Sequence, residues 1–216
     1  MAEQLSPRQF HAAGGIEEWR VLFTGACAYF RTGSFARGVA LVEAIGRVAD
    51  AANHHPDVDL RYGGVTVRLW SHDVDGLSDR DVELARDISA AARILGVDAD
   101  PCAVQDVQIA VDAVDIQAVM PFWRAVLGYR RVGDEDLADA GGRGPTIWFQ
   151  QTDERRPHRN RVHVDVAVPM EAAEARVAAA LEAGGVLVSD EHAPTWWTLA
   201  DPEGNEVDVA TLAGRG

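Results

Sequence analysis

Cysteine is scarce in this chain. Only Cys27 and Cys102 occur in 216 residues, far apart and with no CxxC spacing. A disulfide framework and a thiolate zinc site are therefore not expected, and a reducing cytoplasm is the expected compartment. Long apolar runs are also missing; none reaches the roughly 18 residues that a membrane helix needs. The opening residues, Met1 to Pro7, lack the basic-then-apolar order of a signal peptide. Positive charge is in deficit, with 20 Lys+Arg against 34 Asp+Glu and a net charge of -14. Nucleic acid and anionic membrane surfaces select basic faces, so neither is expected as a partner. What is present is an ordinary globular composition, 47% hydrophobic and 25% charged. At roughly 100–200 residues per domain, the length allows one large domain or two small ones.

The first half mixes α and β signals. Ser6-Pro7-Arg8-Gln9 has a cap, a proline at the first helical position and a Gln three after the cap, and Gly14-Gly15 closes that short helix. Strands are expected at Trp19–Phe23 and Ala26–Arg31. Ser34 caps a helix with Phe35, Val39, Val42, Ile45 and Ala49 on its apolar face. That helix must stop near Asn53, because Pro56 cannot continue it. Leu60–Tyr62 and the alternating Val65, Val67 and Leu69 predict strands. Ser78 with Asp81 makes a capping box opening a helix with Leu84, Ile88, Ala91 and Leu95 on one face. Gly96 to Pro101 interrupts the pattern and is the expected boundary between domains at 1–98 and 103–216. Beyond it, strand, helix and strands occur twice, near 104–152 and 161–211, with helices at Ile116–Leu127 and Glu171–Ala183. This is a degenerate internal repeat. The expected fold is α+β: an N-terminal antiparallel sheet with helices packed on one face, then a C-terminal domain of paired βαβββ modules.

His54-His55-Pro56 falls where a helix ends, and His72 where the following strand ends. A helix C-terminus carries partial negative charge and favours an imidazolium. Imidazoles titrate near neutrality, so three at one mouth would suit proton transfer. In isolation, the same residues read more readily as plain loop and turn histidines.

The spacing of Asp50, His54, His55, Pro56, Tyr62, His72 and Asp81, with Gly76-Leu77-Ser78-Asp79-Arg80 beside them, resembles the signature of the pterin-4a-carbinolamine dehydratases over roughly residues 5–96. The resemblance implies a 4a-hydroxytetrahydrobiopterin dehydratase, a hydro-lyase that eliminates water from a 4a-hydroxytetrahydropterin to give the quinonoid dihydropterin, without metal or cofactor. It implies His54 and His72 as the acid/base pair and His55 as the residue that binds or orients the pterin. Asp50, one helical turn before His54, could hold an imidazole's tautomer and charge. Pro56, Tyr62 and Asp81 complete the substrate-binding set. Asp81 reads more readily as the capping carboxylate of Ser78's helix, and Tyr62 as core or site wall.

Phe122-Trp123-Arg124 with Leu127-Gly128-Tyr129, and Asp201-Pro202-Glu203-Gly204-Asn205, resemble motifs of the vicinal oxygen chelate (glyoxalase/bleomycin-resistance) superfamily over roughly residues 104–212. In metal-using members four strand residues point into a shared cleft. Matching by strand puts Asp106, Gln150, His163 and Asp208 there. Only His163 keeps a usual ligand type, so no catalytic metal is expected, and His163 is expected to bond to a carboxylate instead. Trp148, Trp196 and Trp197 could floor a pocket or fill the core. The basic run Glu154–Arg161 reads as a solvated loop.

The whole reads as a bacterial-type two-domain fusion with a pterin substrate, an unidentified small-molecule ligand for the C-terminal domain, and a homo-oligomeric state. The competing readings are a metal-dependent glyoxalase- or dioxygenase-type enzyme acting through the second domain, and a non-enzymatic dimerisation or ligand-binding protein.

Overall fold

The computed structural model describes residues 3–153, 164–211 and 213. His163, Val162 and the basic run Glu154–Arg161 lie outside the described residues. The chain divides into two compact units, Met1–Asp106 and Val107–Gly216.

In the first unit the order is α1 (Pro7–Ala12), β1 (Arg20–Leu22), β2 (Gly25–Arg31), α2 (Phe35–Ala52), β3 (Asp57–Leu60), β4 (Gly64–Leu69), α3 (Asp79–Ile94) and β5 (Asp98–Ala99). The strands form one antiparallel sheet, β1-β2-β4-β3, with β5 also pairing β2. Alternation decides its faces. Ala26, Ala28 and Phe30 of β2 and Val65, Val67 and Leu69 of β4 are buried against Leu41, Ile45 and Ala49 of α2 and Leu84, Ala85 and Ile88 of α3. The helices thus cover one face of the sheet, as expected.

The buried stripe of α2 is rotated from the expected one. Gly38, Leu41, Ala44, Ile45 and Ala49 are buried, whereas Phe35 and Val39 are 51% and 47% exposed. Gly38 explains the rotation: a Cβ there would meet Leu60 Cδ1 at 2.4 Å, so a bare backbone lets the helix settle onto the β3 end.

The expected linker is partly sheet. Phe30 pairs with Ala99 and Arg31 with Asp98. Arg31 is ion-paired with Asp100, and the Asp106 carboxylate accepts from Thr24 N–H at 2.9 Å and Thr24 Oγ1 at 2.8 Å, closing the β1–β2 turn. A fragment ending at Asp106 is therefore expected to melt about 5–10 °C above one ending at Gly96, as the loss of one to two kcal/mol would produce in a domain this size. Equal melting temperatures by circular dichroism would show that the 97–106 segment adds nothing.

In the second unit the order is β6 (Gln108–Ala113), α4 (Ile116–Leu127), β7 (Arg130–Val132), β8 (Asp136–Ala138), β9 (Thr146–Gln151), β10 (Val164–Ala167), α5 (Met170–Glu182), β11 (Val186–Ser189), β12 (Trp196–Ala200) and β13 (Glu206–Ala210). The sheets run β6-β9-β8-β7 and β10-β13-β12-β11. In each, the first strand lies parallel to the last and the remaining pairings are antiparallel. Two βαβββ modules are therefore present, and one core unites them, with Phe122, Trp123 and Val126 of α4 packed among Ile147, Phe149, Val177, Leu199, Val207 and Val209.

The two motifs of this half turn out to support each other's elements. Asp115 caps α4 through Ala118 N–H, and Gly128, at φ 70°, ends it in the left-handed region that favours glycine. Buried Trp123 donates its Nε1–H to Asp201 Oδ2 at 2.9 Å. Asp201 also accepts from the backbone N–H groups of Glu203 and Asn205 and from Asn205 Nδ2. Glu203 in turn accepts from Val114 N–H and Asp115 N–H at the start of α4. Among the described residues, no helix is long and apolar enough to cross a membrane.

Candidate active site

His54 is placed by the way α2 ends. Asn53 adopts φ 47°, a left-handed cap. Its N–H bonds to Asp50 O, and the His54 N–H reaches back to Ala49 O at 3.2 Å, which is the bond pattern of a Schellman end. The chain therefore leaves the helix in one fixed direction. The imidazole, only 9% exposed, then meets Asp81 of α3, with Nε2 2.8 Å from Oδ1.

Asp81 is fully buried and carries two jobs. Its Oδ2 accepts the Ser78 N–H at 2.8 Å, the cap expected from the sequence. The same oxygen lies 2.7 Å from Ser71 Oγ and 3.0 Å from Ser78 Oγ, and the two hydroxyls are 2.8 Å apart. A carboxylate only accepts, so His54 Nε2 is the donor in this bond and Nδ1 is the ring nitrogen not engaged by it.

His54 lines a cleft of about 440 Å³ between the C-terminal half of α2 and the first turns of α3, with Val48, Ala51, Ala52, Arg80, Glu83, Leu84 and Asp87. Arg80 is ion-paired with Asp73, its carboxyl held below the ordinary range first by that bond and, among smaller causes, by the nearby His54. The 72–75 turn is thus within electrostatic reach of the cleft.

The other histidines are held less firmly. His55 Nε2 lies 3.0 Å from Asp50 Oδ1, with side chains 61% and 81% exposed. The imidazole that Asp50 holds is therefore His55's, while Asp81 holds His54's. His72 is exposed and opens the turn after β4. Neither lines the His54 cleft. Sheet register nonetheless brings all three to one end: Asp57, just after His55-Pro56, pairs with Arg68, just before the β4 end that leads to His72. Pro56 is half-buried at the entry to β3.

The same register separates Tyr62 from them. It is 75% exposed in the β3–β4 turn, at the opposite end of that hairpin. At about 3.3 Å per residue, the length of β4 puts it roughly 20 Å from the histidine end. Tyr62 is neither core nor, within this chain, wall of the His54 cleft. Sequence reading missed Ser71 and Arg80; Ser71's position on the core-facing parity of β4 was the available signal.

Asp106, the last residue of the first unit, precedes β6 and its carboxylate is engaged by Thr24, so it does not take the expected strand position. Gln150 is exposed on the face of β9 opposite the core, with Asp112 of β6 in register. Asp208 sits on the open face of β13, in register with Asp165 and Thr198. Trp197 packs on the core, while Trp148 and Trp196 are half-buried on the open faces. His192 stacks on Trp196 with ring centroids 4.0 Å apart, a pairing with no local signal in the residues around either position. Among the described residues no group of three or more His, Cys, Asp or Glu could hold a metal.

The first unit is thus an antiparallel α+β layer with a buried histidine–carboxylate pair at a cleft, and the second a pair of βαβββ modules. Comparison with known proteins agrees at both ends. The sequence model of the pterin 4 alpha carbinolamine dehydratase family matches residues 3–91, and that of the glyoxalase-like domain matches residues 108–210. A protein of Roseiflexus sp. (strain RS-1), provisionally named pterin-4-alpha-carbinolamine dehydratase, is 42% identical over 89 residues, 41% of this chain and 96% of that relative. One from Nocardia farcinica with the same provisional name is 45% identical over 60 residues, where the match spans 63% of the relative. A solved glyoxalase/bleomycin resistance protein/dioxygenase family enzyme from Burkholderia phytofirmans PsJN shares 21% identity at a TM-score of 0.40, covering 50% of this chain and 99% of that one. The chain belongs to the pterin-4a-carbinolamine dehydratase family, with a glyoxalase-like domain following in the same chain.

Proposed function

We propose that the protein is a 4a-hydroxytetrahydropterin dehydratase acting through its first unit. The observation that carries this reading is His54: buried, bonded to Asp81, and facing a cleft of about 440 Å³ at the end of the sheet from which His55 and His72 also emerge. The reaction breaks the C4a–O bond and the N5–H bond and forms a C4a=N5 double bond. One group must give a proton to the departing hydroxyl, so that it leaves as water, and another must take the N5 proton. Electrons stay within the substrate, so no oxidant or reductant is required. His54, through Nδ1, and His72 divide these two roles, each worth ~10²–10⁴-fold. His55, hydrogen-bonded to Asp50 at the surface, orients the ring. Glu83 and Asp87 in the cleft suit the amino edge of a pterin, because carboxylates accept from paired N–H donors. The second unit acts as a small-molecule-binding module, with Trp148 and Trp196 offering apolar area on the open faces of its two sheets.

The mechanism uses no metal, and the competing reading through the second unit would. Exhaustive chelation should therefore leave the dehydration rate unchanged in a stopped-flow assay. A rate abolished by the chelator and restored by Zn, Mn, Ni or Fe would favour the second-unit reading.

A further inference from the structure

We propose that Asp81 and Ser71 are the positioning residues of this site, one buried carboxylate holding both segments that carry the acid/base histidines. The inference rests on the dehydratase reading and goes beyond it. Capping α3 asks of Asp81 only the bond from Ser78 N–H. The remaining contacts have no capping purpose. Oδ1 is given to His54 Nε2 at 2.8 Å, and Oδ2 to Ser71 Oγ at 2.7 Å.

Ser71 directly precedes His72. Its N–H bonds to Gly76 O at 2.8 Å, and the Gly76 N–H returns to Ser71 O, so the turn bearing His72 closes on Ser71. Ser71 is 1% exposed, and fixing its hydroxyl fixes the root of that turn. The two serine hydroxyls hold two protons for three contacts. Ser71 donates across the shortest of these, to Asp81, and Ser78 donates to Ser71 or to Asp81.

At the other oxygen, Asp81 sets the His54 tautomer. With Nε2–H committed to the carboxylate, Nδ1 is the nitrogen that exchanges a proton with substrate. By contrast the Asp50–His55 pair is mostly solvent-exposed, and such pairs hold little.

The test uses the full chain with Asp81→Asn and Ser71→Ala, each alone and combined with His54→Ala or His72→Ala. It reads dehydration kinetics and ¹⁵N histidine NMR. In Asp81→Asn the amide turns its NH₂ toward His54, because its oxygen is needed by Ser78 N–H. His54 should then invert to the Nδ1–H tautomer, with kcat falling on the order of 10²-fold and KM little changed. That loss should vanish in the His54→Ala background. Ser71→Ala should keep the His54 tautomer and lower kcat, with no further loss in the His72→Ala background. An active wild type whose Asp81→Asn variant keeps both tautomer and kcat would overturn the proposal while sparing the dehydratase reading, and so would a Ser71→Ala loss that persists without His72. If Asp81→Asn does not fold, the Ser71 cycle decides. A wild type with no dehydration overturns both.

Discussion

Replacing His54 by alanine is expected to cost the dehydration rate on the order of 10²-fold or more, the usual worth of a positioned acid or base. The loss should fall on kcat, because the group acts on a proton in flight. The variant also leaves Asp81 without its Oδ1 partner in a fully buried position. An unpaired buried acceptor costs about 1–3 kcal/mol, so a fall in melting temperature should accompany the fall in rate. His55→Ala separates the two effects. Its side chain is 61% exposed, so stability should hold while KM rises. A His54→Ala enzyme within a few-fold of wild type would remove His54 from the chemistry.

The largest expected effect on stability lies in the second unit, at Asp201. This carboxylate is 2% exposed and accepts from Trp123 Nε1, two backbone N–H groups and the Asn205 amide. Asp201→Ala strands the buried indole N–H and opens the turn that carries Glu203 to the start of α4. A loss of about 2–4 kcal/mol follows from such orphaned donors. For a unit of this size that is roughly 10–20 °C in the melting transition. Asp201→Asn keeps one acceptor oxygen and should lose less. A shift of the Asp201→Ala transition of no more than a degree or two in calorimetry would show that the turn is held by other means.

Much of this molecule was legible in the sequence because its devices are local. Ser34 and Ser78 cap the helices expected of them, and α4 spans Ile116–Leu127 with Gly128 after it. What escaped is short or non-local. β5, β7 and β8 have two or three residues each, too few to show a period. The exposed side of α2 depends on Leu60 lying over Gly38, a contact 22 positions apart in the chain.

The site divides in the same way. The His-His-Pro run and its spacing to His72 marked the histidines. Asp81 at the third position of a capped helix was already explained by the cap, which hid its bond to His54. Tyr62 fitted the spaced pattern, and only the β3–β4 register shows it at the far end of the hairpin. Asp106 had the right parity for a second-unit strand, but it stands before β6 and belongs to the first unit, where it is bonded to Thr24.

The account turns on whether the first unit dehydrates a pterin. The direct measurement is stopped-flow decay of a 4a-hydroxytetrahydropterin with the full chain, beside a His54→Ala/His72→Ala double variant of demonstrated fold. The full chain should accelerate formation of the quinonoid dihydropterin well beyond the buffer rate, and the double variant should return it to that rate. A full chain that leaves the buffer rate unchanged, or a double variant as fast as wild type, would contradict it.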